Sequence, residues 1–357
     1  MSSLKARVRG AARRTKQLIA FWRIDRSKGV PVNLGLLRRG FLSQRKEFYP
    51  LDRYDLDWFL SDWAIENFFS TLNSPFVKAQ LNDKLYFHLL LRELGLDGKL
   101  APLIGVVVDG IFTTFSEQAS LEKALLKYSR LIVKPVDGLG GRGVYAMQQI
   151  SGSPTKGTFV IEAALQQHDY AARIFPGSVN TMRIMTLRSG SAEPFIIGAA
   201  HRFGVQSSAP VDNFSRGGIV AYIDSVTGRL SAARSAPGRF AQSRHPHHPE
   251  TKAPIEGVMI PSWDAIKHFV LEVARGVPGL KLAGWDVTLT ANGPRLIEAN
   301  GSVPNPELIQ TERPLLLDPQ TRGFFADHGV ISRKLADRLT HLQALDKTAK
   351  RACGRTD

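Results

Sequence analysis

The chain has 357 residues, 43% hydrophobic and 22% charged, with a formal net charge of +15. This composition excludes a disordered chain, a collagen and a coiled-coil rod, and the length allows two or three packed units. The single cysteine, Cys353, excludes an internal disulfide framework and fits a reducing compartment.

The charge is concentrated at one end. Residues 1–50 carry thirteen Lys or Arg against Asp25 and Glu47, so the body of the chain is nearly neutral. Leu4, Val8, Ala11, Thr15, Leu18 and Trp22 recur at spacings of four and three, which on a helix form one face with arginines around the rest. Such a helix either docks its apolar stripe on the protein or lies on an anionic membrane surface. Nucleic acid is not expected, because no zinc spacing, helix-turn-helix or RNP-type motif accompanies the charge. No apolar run approaches the ~18–20 residues of a membrane span. The N-terminus also lacks the continuous apolar region of a secretory signal. The expected location is cytoplasmic, with peripheral contact at the inner membrane surface open through the basic helix.

The aromatic-rich stretch 51–75 packs on the body. Leu81, Leu85, Leu89 and Leu90 predict a helix over 80–95, ended by Gly95. Short strands follow within 102–115 around the Asp109-Gly110 turn, then a helix over 117–128. Strand patterns occupy LIVKP (131–135), GVYAM (143–147) and TFVIE (158–162), then 181–188, 195–202 and 218–224. Residues 231–261 contain five prolines and read as a long loop. There Pro246 and the lack of further ligands argue for an ordinary loop at His245, His247 and His248 rather than a metal site. A helix over 262–275 precedes strands at 283–290 and 295–299.

Gly138, Gly140 and Gly143 satisfy G-x-G-x-x-G, with Gly141 as a fourth glycine, and Glu162 lies nineteen residues beyond. A dinucleotide fingerprint must open a helix, whose N-terminus holds the pyrophosphate. Here a strand follows, so the loop is a flap between two strands whose glycines can expose backbone N–H groups to phosphate. Lys134 lies on the strand before the flap. If its ammonium points inward it needs an anionic partner, which a triphosphate would supply.

Residues 284–300 predict a hairpin. Glu298 and Asn300 are two apart on one strand and so share a face. Oxygen ligands at this spacing suit Mg²⁺. A three-residue loop with Gly293 as a bulge residue sets Asp286 opposite Glu298, whereas a two-residue Asn-Gly turn turns Asp286 away. Between flap and hairpin lie Arg183, Arg202 and Arg216-Gly217-Gly218. Arginine's planar fork suits phosphate, although each one alone could equally be a structural ion-pair partner.

Taken together these residues resemble the ATP-grasp superfamily over about residues 80–312. The matching features run from Asn82-Asp83-Lys84 through Lys134-Pro135, the glycine loop, TFVIE, Arg183, Asn213 and Gly217-Gly218 to Asp286, Glu298 and Asn300. The segments LQQHD, SVNTMRIMTL, VDNFSRGGI and GWDVTLTANGPRLIEANGSVPNPELIQ are similar to the sugar-transfer-associated branch. The middle of the chain also resembles ligases that add glutamate to a ribosomal protein or to coenzyme tails.

The resemblance implies an α+β ATP-grasp fold, two lobes clasping ATP, with a basic helical N-terminal extension. The implied organisation is an extension over 1–75, a linker region over 76–130, a small lobe over 131–180, a C-terminal lobe over 181–325 and a basic helical tail over 326–357. Lys84 and Lys134 would contact ATP phosphates, joined by the glycine loop, Asn213, Arg216, Gly217 and Gly218. Glu162 and its neighbours would line the adenine pocket. Asp286, Glu298 and Asn300 would hold Mg²⁺, and Arg183 and Arg202 would stabilise the transferred phosphoryl group. The implied activity is an ATP-dependent ligase joining a carboxylate to an amine through an acyl phosphate, on a sugar or lipid-linked glycan in exopolysaccharide synthesis. The alternatives are a phosphotransferase on the same fold, or a non-catalytic nucleotide-binding module that recruits glycan-synthesis partners.

Overall fold

The computed structural model describes residues 2–115, 120–138, 140–237, 239–240, 243–302 and 304–352. Cys353 lies outside them. The chain forms two units, one drawn from Met1–Leu72 and Gln310–Asp357, the other from Asn73–Ile309. The fold is α+β.

In the first unit a helix spans Ser2–Ser27. Of the stripe expected from the sequence, the side chains of Leu4, Val8 and Ala11 lie outside the described residues. Phe21 packs with Leu37 and Leu42, supported by Leu18, Ile24 and Trp63. Trp22 instead faces outward, with the Arg26 guanidinium over its ring at 5.0 Å. Asp25 is buried because its carboxylate accepts the Ser43 N–H, which a more exposed helix face could not provide. Arg45 and Asp62 form a buried pair at 2.6 Å. The aromatic stretch packs within this unit: Tyr49 stacks on Phe59 at 4.6 Å, and Phe69 on Phe325 at 5.6 Å. None of the described helices is long and apolar enough to cross a membrane.

The second unit holds two antiparallel sheets. The smaller has the order β2-β1-β5-β3-β4, with β1 Leu103–Val108, β2 Ile111–Thr114, β3 Leu131–Pro135, β4 Tyr145–Met147 and β5 Thr158–Ala163. The larger has the order β10-β9-β8-β7-β6-β11-β12. Its strands are β6 Met182–Leu187, β7 Phe195–Phe203, β8 Ile219–Ile223, β9 Ala233–Arg234, β10 Arg244–His245, β11 Leu282–Thr290 and β12 Gly293–Asn300. The 231–261 segment is mostly irregular, but β9 and β10 extend the sheet through it. In it His245 meets the Ser235 hydroxyl at 3.1 Å and His248 the Gly204 carbonyl at 2.8 Å.

Each sheet carries a helix on its core side. Leu121 and Ala124 of Leu121–Tyr128 cover Ile104, Leu131, Val133 and Ile161 of the smaller sheet. In Trp263–Gly276, the buried residues Ile266, Phe269, Val270 and Val273 keep the helical period and cover the larger sheet. Full burial of each such side chain contributes ~1.5–3 kcal/mol.

The helix expected over 80–95 is two helices, Pro75–Asn82 and Lys84–Glu93. Asp83 separates them in an extended conformation, φ −87° and ψ 119°, and its side chain accepts the Tyr86 N–H. A capping aspartate that satisfies a free helix N–H outweighs the continuous leucine pattern. The break matters because it puts Lys84 at a helix start.

Candidate active site

Lys84 and Lys134 converge from a helix start and a strand. Both are buried. The Lys134 ammonium lies 2.5 Å from Glu162, one strand away on β5, and 3.4 Å from the Ile297 carbonyl of the larger sheet. The other Glu162 oxygen meets His88 at 2.9 Å. Burial alone would raise the Glu162 carboxyl, but Lys134 and His88 outweigh it and bring it down to about 2. Lys134 thus has an internal counter-ion, and Glu162 is committed to it. His88 was not singled out in the sequence, although it stands one helical turn from Lys84 on the same face, which was a readable signal.

Lys84 is placed differently. Its ammonium donates to the Gly138 carbonyl at 2.6 Å and lies 3.9 Å from Glu298. Burial lowers its pKa, against the pull of Glu298. Among the described residues, Lys84 is the one buried cation of this site with no carboxylate within hydrogen-bond distance.

The hairpin achieves the expected opposition by another route. Thr290 pairs with Gly293, so the loop is the two residues Ala291-Asn292, and Gly293 takes φ +93°. A register shift follows, with Val287 opposite Leu296 but Asp286 opposite Glu298. Ile297 is the extra residue of a β-bulge. The bulge restores the Asp286–Glu298 pairing, and the Ile297 carbonyl is the one Lys134 approaches.

Asp286 is fully buried between two arginines. Arg183 reaches it from β6 at 2.5 and 3.2 Å, and Arg202 from β7 at 2.7 Å. Burial would raise its pKa, and the two guanidiniums drive it far below the carboxylate range. Arg183 also donates to the Pro304 carbonyl at 2.5 Å. Close approach of Arg183 and Pro304 explains Gly284, where a Cβ would lie 2.4 Å from Pro304 and 3.1 Å from Arg183. Arg202 also donates to the Thr181 hydroxyl and lies 3.6 Å from Asp212. Asp212 accepts the Thr181 N–H at 2.7 Å and hydroxyl at 2.6 Å. Burial raises the Asp212 carboxyl despite Arg202. Asp212 and Thr181 were missed, since their partners are distant in sequence. Two Arg202 nitrogens are engaged; its Nη1 has no partner among the described residues.

The glycine loop meets the segment after β7. Gly140, Gly141 and Gly143 have φ of +65°, +70° and +71°, a region that favours glycine. Arg216 donates to the Gly141 carbonyl at 3.1 Å, and a Cβ on Gly140 would touch the Asn213 amide at 3.4 Å. Asn213 itself caps the turn, accepting from the Ser215 N–H and hydroxyl. The space at Gly218 is taken by the chain's own backbone: a Cβ there would lie 2.5 Å from the Asp212 carbonyl. The Arg239 guanidinium covers Gly217.

Glu298 and Asn300 face the same side of β12. The Glu298 side chain is 26% exposed. Burial first, then repulsion by Asp286, raises its pKa. The Asn300 amide nitrogen is buried without a hydrogen-bond partner. The under-compensated carboxylate fits a hard cation bound by oxygens, which would favour the charged form of Glu298, whereas the orphan Asn300 N–H is a donor that calls for an acceptor oxygen. No cluster of three His, Cys, Asp or Glu suited to a metal occurs among the described residues, so such a site needs the amide oxygen and substrate oxygens. Beyond Glu162, a cavity of about 390 Å³ is lined by Ala163, Leu165, Gln167, Thr290, Asn292 and Arg295; Glu162 itself is not in its wall.

Residues 149–312 match the family described as sugar-transfer associated ATP-grasp, so β5 to β12 carry the resemblance read from the sequence. No curated protein matches the chain. Among solved structures, the chain is similar to an L-amino acid ligase from Bacillus licheniformis, at 13% identity and a TM-score of 0.39, over 66% of this chain and 44% of that one. It thus spans less than half of that ligase. The D-alanine–D-alanine ligase from Bacillus anthracis matches at 12% identity and a TM-score of 0.39, over 78% of this chain and 72% of that one. D-alanyl-alanine synthetase A from Vibrio cholerae matches at 12% and 0.42, over 75% and 68%.

Proposed function

We propose that the chain is an ATP-dependent ligase that joins a carboxylate to an amine through an acyl phosphate. The observation that carries this reading is the placement of Lys84, whose ammonium touches the glycine loop and faces the acidic hairpin at once. A polyphosphate bridging loop and hairpin would give that ammonium the charged partner within hydrogen-bond distance that Glu298, at 3.9 Å, does not.

In this reading Lys84 and Lys134 hold the phosphates of ATP, and N–H groups of the glycine loop cover them. Glu298 and Asn300, with Asp286 behind them, would hold Mg²⁺, which when bound supplies charge neutralisation of the phosphate oxygens. The unpartnered Arg202 Nη1 is oriented by Thr181 and Asp286 and stabilises charge on the phosphoryl group in transfer. Arg183 anchors Asp286. Such positioning and charge stabilisation is the main requirement of phosphoryl transfer. The cavity beyond Glu162 lies next to the segment assigned to the nucleobase.

The match to a family described as sugar-transfer associated supports a link to sugar chemistry, and the proposed substrate is a carboxylate borne by a sugar or lipid-linked glycan in exopolysaccharide synthesis. The named solved ligases are in keeping with amide formation. The test is ADP release with Mg²⁺ATP over pairs of uronic acids or acidic glycans with amines. A ligase requires both members of a pair. Release with one hydroxyl acceptor alone would make the chain a phosphotransferase, and ATP binding without any release would favour a recruiting module.

A further inference from the structure

We propose that the first unit contains a second anion site, for a phosphate monoester attached to an apolar or sugar body, independent of the ATP site. A cavity of about 360 Å³ lies between the end of the Ser2–Ser27 helix and the segments 37–40 and 57–63. Its volume is in the ~300–1,000 Å³ range of small-ligand sites. Leu18, Phe21, Leu37 and Trp63 form an apolar part of its wall. Arg14, Arg38 and Arg39 supply three guanidiniums.

The charge does not cancel within the pocket. Arg39 pairs with Asp55 and Asp57, and Asp57 is shared with Arg338. Arg14 and Arg38 have no carboxylate partner among the described residues, and both are exposed. Asp57 is the one acid in the wall, and two arginines already neutralise it. Two positive charges are therefore left over beside an apolar surface. A phosphate monoester carries roughly −1.5 to −2 charges near neutral pH and takes arginine forks in pairs. A monocarboxylate would match only half of that charge.

The phosphate could belong to a soluble sugar phosphate or to a lipid headgroup, which share this chemistry. The experiment uses the full chain, with glucose 1-phosphate by calorimetry and with phosphatidylcholine vesicles with or without phosphatidic acid by co-sedimentation. The variants are R14Q/R38Q and, as a charge-matched control on exposed residues outside the pocket, R23Q/K28Q. A Lys134→Ala chain serves to separate this site from the ATP site. The expected result is saturable binding of one probe, weakened at least tenfold by R14Q/R38Q, under twofold by R23Q/K28Q, and retained in Lys134→Ala. Binding of glucose 1-phosphate identifies a soluble ester; binding only to phosphatidic acid vesicles identifies a headgroup. Equal losses in both double variants would show diffuse charge and overturn the proposal. So would no binding of either probe, or loss in Lys134→Ala.

Discussion

Lys84 and Glu298 face each other at 3.9 Å, close enough to attract but too far to hydrogen-bond. Each is shifted toward its neutral form, Lys84 by burial and Glu298 by burial and Asp286. The pair is under-compensated in the protein alone, and the groups that would complete it are phosphate on one side and a cation on the other.

Replacing Glu298 by Gln therefore separates stability from activity. A folded-state pKa above the free value means the charged carboxylate costs stability, a cost that grows as pH rises through the folded pKa. Near neutral pH the Glu298→Gln chain melts no lower than the parent, while ATP turnover falls at least ~100-fold. A clear drop in Tm would refute this view of the site.

Asp286 behaves in the opposite way. Removing its charge leaves Arg183 and Arg202 buried without their shared counter-ion, and such breaks cost ~3–5 kcal/mol. Chemical denaturation of Asp286→Asn should show a loss of that order, and an unchanged midpoint would count against the network.

The Lys134–Glu162 pair sets an acid limit. Glu162 falls from an ordinary 4.5 to about 2 on folding, so its contribution is complete above pH ~4.5 and is lost as pH falls toward 2. The shift corresponds to roughly 3 kcal/mol. Glu162→Gln should be less stable at pH 7 and lose part of the parent's fall in stability between pH 5 and 3. Parallel pH profiles in the two proteins would contradict the assignment.

Gly218→Ala tests how the glycine pair acts. The added Cβ would meet the Asp212 carbonyl at 2.5 Å, a backbone atom that cannot swing aside. Asp212 also orders Thr181 and, through it, Arg202. The expected outcome is a loss of ~1–3 kcal/mol together with reduced turnover. Full activity at parental stability would show that the crowding is relieved at no cost.

Much of this architecture was legible because it is local. Strand alternation located β3, β5, β6 and β7 within a residue or two, and the spacing of Glu298 and Asn300 gave a common face. The Asp286–Glu298 opposition was also read correctly, but through the turn, whereas the extra residue is Ile297. A bulge depends on cross-strand register, which the hairpin's own turn residues do not encode. Lys134 was expected to need an anion, and the chain supplies Glu162. Its choice of partner, like that of Arg202 for Thr181 and Asp212, is made by segments far apart in sequence. Phe21 rather than Trp22 entered the core of the first unit, a shift of one residue that a 3.6-residue period barely resolves.

The most direct measurement is calorimetric titration of ATP into the full chain, with and without Mg²⁺, in the parent, Lys134→Ala and Glu298→Gln. The account predicts one site, strengthened by Mg²⁺ in the parent, with affinity lost in Lys134→Ala. In Glu298→Gln, ATP should still bind but without the strengthening by Mg²⁺. Absence of ATP binding in the parent, or a Mg²⁺ effect undiminished in Glu298→Gln, would contradict it.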